Sequence, residues 1–218
     1  KDLQNTFLAR GPNHRLSAEM IRDNALKASG LLVQKVGGPS VKPYQPPGIW
    51  MRPEEKDYKQ DSGESLYRRS MYTYIRRSTP HPAMIAFDAP SRSVCTVKRE
   101  NTTTPLQALV LLNDPQFVES ARVLSQRIQL EGGESVDAQI QYGFRLLCGR
   151  NPDANELQLL QQQFQTALSK YQTDPEAAEA LLSVGEYSLD ESLDKIQTAA
   201  LTLVANTVIN FDGTYMKR

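Results

Sequence analysis

Thr102-Thr103-Thr104-Pro105-Leu106-Gln107-Ala108-Leu109-Val110-Leu111-Leu112-Asn113-Asp114 is the stretch on which the fold of this chain turns. Thr104 stands as an N-cap, Pro105 takes the first helical position and Gln107 the third, which is capping-box spacing. Residues 108–112 are wholly apolar, so the spacing predicts a short buried helix. Asn113-Asp114-Pro115 interrupts it and restarts a second helix, with Asp114 as cap and Phe117, Ala121, Leu124 and Ile128 as its core stripe. Gly132-Gly133 stops that one.

The same grammar continues downstream. Ile140, Phe144 and Leu147 mark a helix closed by Gly149. Asp153 with Glu156 caps the next, carrying Leu157, Leu160, Phe164, Leu168 and Tyr171. Asp174-Pro175-Glu176 opens a short helix ending near Gly185, and Leu193, Ile196, Ala200, Leu203 and Thr207 mark the last. Upstream, Ala18, Ile21, Ala25 and Ala28 with Ser17 as cap predict a helix over 18–29. Its other face carries Glu19, Arg22, Asp23 and Lys27 and reads as solvated, with Arg22 or Asp23 placed to reach a buried partner.

Residues 37–61 break this pattern. Gly37-Gly38-Pro39, Pro43, Pro46-Pro47-Gly48 and Pro53 exclude a continuous helix, yet Tyr44, Ile49, Trp50, Met51 and Tyr58 are large anchors that a disordered linker would lack. An ordered Pro-rich loop is expected. A helix is expected over 65–77, placing Arg69, Tyr72 and Arg76 on one face, ended by Thr79-Pro80-His81-Pro82. A turn and a short strand at 94–97 follow. The fold class is mainly α: an irregular helical domain with a long Pro-rich ordered loop and little or no sheet. It reads as one domain over 1–218, divisible into a loop-rich basic half, 1–104, and an acidic helical half, 105–218.

That division rests on charge. Residues 1–104 hold 17 Lys and Arg against 10 Asp and Glu, and residues 105–218 hold 8 against 15, so +7 faces −7 while the whole is neutral. The plain reading is two halves that complement each other in one body; nucleic-acid modules carry a net basic excess instead. No run of about 18 apolar residues is present, so no membrane span is expected. Cys95 and Cys148 fit no zinc or haem-attachment spacing. Cys148 continues a helix's apolar face and reads as a buried free thiol, while a Cys95–Cys148 disulfide requires an oxidising compartment.

Several segments in series carry a resemblance. Leu8-Ala9-Arg10, Arg15-Leu16-Ser17-Ala18-Glu19 and Ile21-Arg22-Asp23 come first. Gly37-Gly38-Pro39-Ser40-Val41, Pro43-Tyr44-Gln45-Pro46, Tyr67-Arg68-Arg69-Ser70 and Phe87-Asp88-Ala89-Pro90 follow, then Thr104 to Leu109 and Leu112 to Pro115. Together they resemble a domain of unknown function at the C-terminal end of large secreted proteins of planctomycetes and related bacteria, downstream of a cytochrome-c-like domain and a companion domain. The resemblance implies an extracytoplasmic setting, no cofactor in this chain, haem in a neighbouring domain of the parent protein, and those other domains as partners. It carries over no catalytic residues. Thr103 stands where many members have Asn, and members have further helical sequence before the point where Lys1 begins, so the chain is expected to be a fragment.

Each candidate site residue also has an internal role open to it. Arg68, Arg69, Tyr72, Arg76, Arg77, Arg92, Lys98 and Arg99 could form an anion surface, with Arg69, Tyr72 and Arg76 as its best triad, or pair internally with Glu19, Asp23, Asp88 and Asp114. Tyr44, Trp50 and Tyr58 could stack on sugar rings or plug the Pro-rich loop onto the helices. Arg22, Asp23, Asp88, Arg92, Thr104, Gln107 and Asp114 read as structural motif residues. His14 and His81 read as surface or capping residues, and no metal ligand set is expected. Two functions stay open: a non-catalytic interaction or assembly domain of an extracytoplasmic cytochrome-associated protein, or a polysaccharide-related enzyme domain, oxidative through the neighbouring haem or hydrolytic, binding acidic or sulfated glycans. Nucleic acid is the remotest partner.

Overall fold

The computed structural model describes residues 6–9, 11, 14–49 and 58–217, and Trp50, Met51 and Pro53 lie outside them. Two helices, α4 (Pro115–Glu131) and α8 (Lys195–Ile209), pack side by side at the centre. Both meet neighbours on nearly every side. Small residues permit the close approach: Ala121, Ser120 and Ser125 on α4 are fully buried, as are Thr198, Ala199, Ala200 and Thr202 on α8. Ser125 Oγ and Thr202 Oγ1 lie 3.0 Å apart there; one donates to the other while the other donates to a carbonyl of its own helix, Arg122 or Thr198, so neither hydroxyl is stranded.

Around this pair lie α1 (Ala18–Ser29), α5 (Val136–Cys148), α6 (Ala154–Thr173) and α7 (Pro175–Leu182). Ser17, Asp153 and Asp174 cap as expected, and the structure adds Ser135 on α5 and Asp194 on α8. Ser17 accepts from the Met20 N–H, Ser135 from Ala138, Asp153 from Glu156, Asp174 from Ala177 and Asp194 from Gln197. A two-residue strand, β1 (His14–Arg15), pairs antiparallel with β2 (Met216–Lys217) and ties the start of the described chain to its end. Little sheet was expected, and these two strands form the one sheet among the described residues. One apolar core joins both charge halves, running from Ile21, Ala25 and Phe87 through Leu124, Phe144 and Phe164 to Val204 and Val208.

Three expectations fail. Residues 65–77 are no single helix: 3-10 turns at Gly63–Tyr67 and Ser70–Tyr72 flank Arg68 and Arg69, whose ψ angles of 154° and 139° are extended. Tertiary pairing overrides propensity here, because Val33 bridges to Arg68 and Val41 to Thr73, drawing the backbone out alongside the Pro-rich segment. Arg69, Tyr72 and Arg76 therefore share no helix face. The second failure is α3 (Pro105–Asn113): it forms as read, but only Gln107 and Leu111 are buried, while Leu106, Leu109 and Leu112 stay exposed. A nine-residue helix apolar on nearly all sides can hide only the face its neighbours offer. Third, residues 94–97 form no strand; after α2 (Pro82–Ala86) they lie in an exposed loop, where no neighbouring strand offers a ladder.

Candidate interaction surface

Most of the motif residues are internal pins, and what they leave uncovered defines the surface. Arg22 sits on the face of α1 that reads as solvated, yet it is 5% exposed. Its NH1 donates to the Arg68 carbonyl at 2.9 Å and Ser70 Oγ at 3.1 Å, and its NH2 to the Leu66 carbonyl at 2.5 Å and Gln116 Oε1 at 2.8 Å. The extended link between the two 3-10 turns has carbonyls that no helix satisfies, and the guanidinium fork satisfies them. Burial pulls Arg22 down to about 10, with Asp23 and then Asp114 pulling the other way, so it remains charged at neutral pH. Asp23 completes the clamp by accepting the Ser70 N–H at 2.7 Å. Asp114 caps α4 through the Gln116 N–H at 2.9 Å, and burial pushes its carboxyl above the ordinary range.

A second clamp joins Arg15, Asp88, Thr102 and Gln107. Asp88 has a left-handed φ of 60°, costly for a residue with a side chain, and several bonds hold it there. Arg15 NH2 donates to it at 2.7 Å, and Thr102 donates through both N–H and Oγ1. Burial pushes the Asp88 carboxyl up, but the Thr102 and Arg15 hydrogen bonds outweigh this and hold it below the usual carboxylate range. The Gln107 Oε1 accepts from the Thr104 N–H at 3.4 Å, the reach-back of a capping box. Its Nε2 does more than the sequence indicates, donating to the Ala86 carbonyl at 3.0 Å and the Thr102 carbonyl at 3.1 Å. Gln107 thereby fastens α3 to the end of α2. Arg92 is exposed, again with φ near 59°, and takes part in neither clamp.

The third cluster escaped sequence reasoning. Glu119, fully buried on α4, accepts from the Tyr67 hydroxyl at 2.8 Å and from the Glu186 and Tyr187 N–H groups at 2.7 and 2.9 Å. Arg122 donates to the Val184 and Tyr187 carbonyls at 3.0 and 2.5 Å. These bonds strap the segment between α7 and α8 across α4. Tyr44 reaches the same strap, its hydroxyl accepting from the Glu186 N–H at 3.0 Å, and burial pushes the Tyr44 and Tyr67 phenols well up. Tyr44 is a plug, only 9% exposed. His81 is likewise buried, against expectation, because the Pro-rich segment folds over it; Nε2 donates to the Tyr44 carbonyl at 2.7 Å, and burial pulls the imidazole down to about 4, leaving it neutral. The one signal for this cluster in the sequence is Gly185, whose φ of 93° lets the strap pass the Glu119 carboxyl.

The three residues read as a binding triad are dispersed. Arg69 is half-exposed, with Nε 3.7 Å from Asp23. The Tyr72 hydroxyl accepts from the Gly37 N–H at 2.9 Å, and its ring carries the Arg68 guanidinium at 3.9 Å. Arg68 is itself buried, donating to the carbonyls of Pro39, Lys35 and Gly37. Arg76 turns to Ser78 Oγ at 3.1 Å, and Arg99 forms a two-bond ion pair with Glu19 at 2.7 and 3.0 Å. Among the described residues no group of three or more His, Cys, Asp or Glu is placed to hold a metal ion, and no helix is long and apolar enough to cross a membrane. Cys95 and Cys148 are free thiols.

Two surface features remain. One is the apolar ridge of α3, where Leu106, Leu109 and Leu112 are 58%, 55% and 40% exposed. Beneath it α3 is held firmly by Gln107, by the buried Leu111 and by the Asp114 cap. The other is a groove of about 900 Å³ floored by the outer stripe of α1 and walled by Arg69 with residues 32–36 on one side and the end of α5 on the other. No curated protein and no solved structure matches the chain. The model of the family described as "Protein of unknown function (DUF1553)", PSD1, matches residues 1–164. The match ends inside α6, so the central helix α8 lies beyond it. With 164 of its 218 residues matched, the chain belongs to that family.

Proposed function

We propose that this chain is a helical interaction domain that docks, through the α3 ridge, against another domain of a longer extracytoplasmic, cytochrome-associated polypeptide. The observation that carries this reading is the exposure of Leu106, Leu109 and Leu112 on a helix rigidly fixed from below. From 101 to 113 the sequence holds no charged residue, and the first one after it, Asp114, turns inward as a cap. A charge-free apolar face is complementary to another of the same kind, as in permanent interfaces. An acidic glycan would need cations there, and α3 has none. Covering three half-exposed leucines contributes about 1 kcal/mol each, enough to favour a tethered neighbour over a free partner.

The test is Leu106→Glu together with Leu109→Glu in the parent polypeptide. The expected result is an unchanged far-ultraviolet circular dichroism spectrum with a larger radius of gyration by small-angle scattering, as this domain swings free. An unchanged radius overturns the reading. So does loss of the helical signal, which would make α3 a core helix.

A further inference from the structure

We infer that the groove over α1 binds an extended peptide segment bearing an acidic side chain. This goes beyond the α3 reading and rests on different residues. The floor is the stripe Met20, Asp23, Asn24 and Lys27, one turn after another on the side of α1 that faces away from the core. Its volume of about 900 Å³ falls within the roughly 300–1,000 Å³ span of ligand sites.

Two cations face this space, Lys27 and Arg69, and the Arg69 ion pair with Asp23 is long. The Lys27 side chain is exposed, and its ammonium makes no hydrogen bond or ion pair among the described residues. Arg69 approaches Asp23 only to 3.7 Å through Nε, and its two terminal nitrogens, the pair that suits a carboxylate, make no hydrogen bond among the described residues. The Asp23 carboxylate beside them is already compensated. It accepts the Ser70 N–H at 2.7 Å and faces Arg22 at 4.0 Å, with 19% of its side chain exposed. The lining thus carries two cations against the single carboxylate of Asp23, a net positive charge for an incoming carboxylate to meet.

The far wall sets the rest of the chemistry. It is the end of α5, where Gly149 closes back to the Arg145 carbonyl and the carbonyls of residues 146–148 receive no hydrogen bond among the described residues. A ligand with N–H donors can replace the water on these carbonyls. An extended peptide has backbone N–H groups for the wall and an acidic side chain for Arg69 and Lys27. Leu32 and Val36 add apolar contact on the near wall. A sugar ring would want an aromatic platform, and none lines this groove.

The probe is the peptide acetyl-Leu-Glu-Val-Glu-Leu-amide, titrated calorimetrically against the chain at low ionic strength beside its Gln-for-Glu counterpart. The acidic peptide is expected to bind about ten-fold tighter than the neutral one, weakening with salt. Arg69→Ala with Lys27→Ala should remove that advantage without changing the melting temperature, while Arg76→Ala leaves it intact. Equal affinity for both peptides, no binding by the wild type, or binding untouched by the double variant overturns the inference. Binding of an oligogalacturonate in place of the peptide overturns it too, assigning the groove to a glycan. The Leu106→Glu, Leu109→Glu variant should bind the acidic peptide normally, so failure of the α3 reading and failure of this one are separable.

Discussion

Gly185→Ala is expected to abolish folding of the chain or to lower its stability by roughly 4 kcal/mol, the sum of a left-handed backbone penalty and a steric one. Gly185 has φ 93°, and a Cβ there would overlap the carboxyl end of Glu119. A flexible side chain would ordinarily move aside, but Glu119 is fully buried and held by Tyr67, Glu186 and Tyr187. Rotating it away would strand both a buried carboxylate and two backbone N–H groups, each costing about 1–3 kcal/mol. Gly149→Ala is the control: φ is 71° there as well, but no atom lies within contact of the added Cβ. It should cost about 1 kcal/mol, the backbone term alone. Urea unfolding followed by circular dichroism measures both. Equal effects at the two positions would show that the Glu119 strap does not hold the segment rigidly.

Arg22→Ala is expected to cost about 3–5 kcal/mol, because it leaves buried carbonyls at Leu66 and Arg68 and the Gln116 amide oxygen without their shared donor. For a chain of this length that corresponds to a fall in melting temperature on the order of 10 °C. Arg22→Lys should restore little, since one ammonium cannot serve acceptors spread across a planar fork. Arg69→Ala, only a few residues along the same clamp, should stay within about 1 kcal/mol of wild type because its ion pair is long and half-exposed. If Arg22→Ala and Arg69→Ala had similar effects, the reading of Arg22 as a buried pin would fail.

The helices were legible because their signals are local. Ser17, Asp114, Asp153 and Asp174 cap in the structure as their spacing predicts, and the stripes of α4 to α6 face the core. Residues 65–77 misled for a non-local reason. Their helical period is genuine in sequence, but Val33 and Val41, some thirty residues earlier, pull Arg68 and Thr73 into extended pairing. α3 misled in a different way: its sequence asks for burial on all sides, and the described residues do not supply it. Glu119 and Arg122 could not be singled out, since their partners in residues 184–187 lie about 65 positions away and are mostly backbone groups with no sequence identity. Of the candidate site, Arg69 was legible as a candidate anion-binding side chain, whereas Lys27 gained its meaning only when α1 was placed opposite the end of α5.

The most direct test of the interaction role is the accessibility of the α3 ridge itself. With Leu109 replaced by Cys, maleimide labelling at that position, resolved by peptide mapping from the exposed native Cys95, is compared between the isolated chain and the parent polypeptide. Rapid labelling is expected in the isolated chain and labelling at least about ten-fold slower in the parent, where a neighbouring domain would cover the ridge. Equal rates in both would contradict the interaction role.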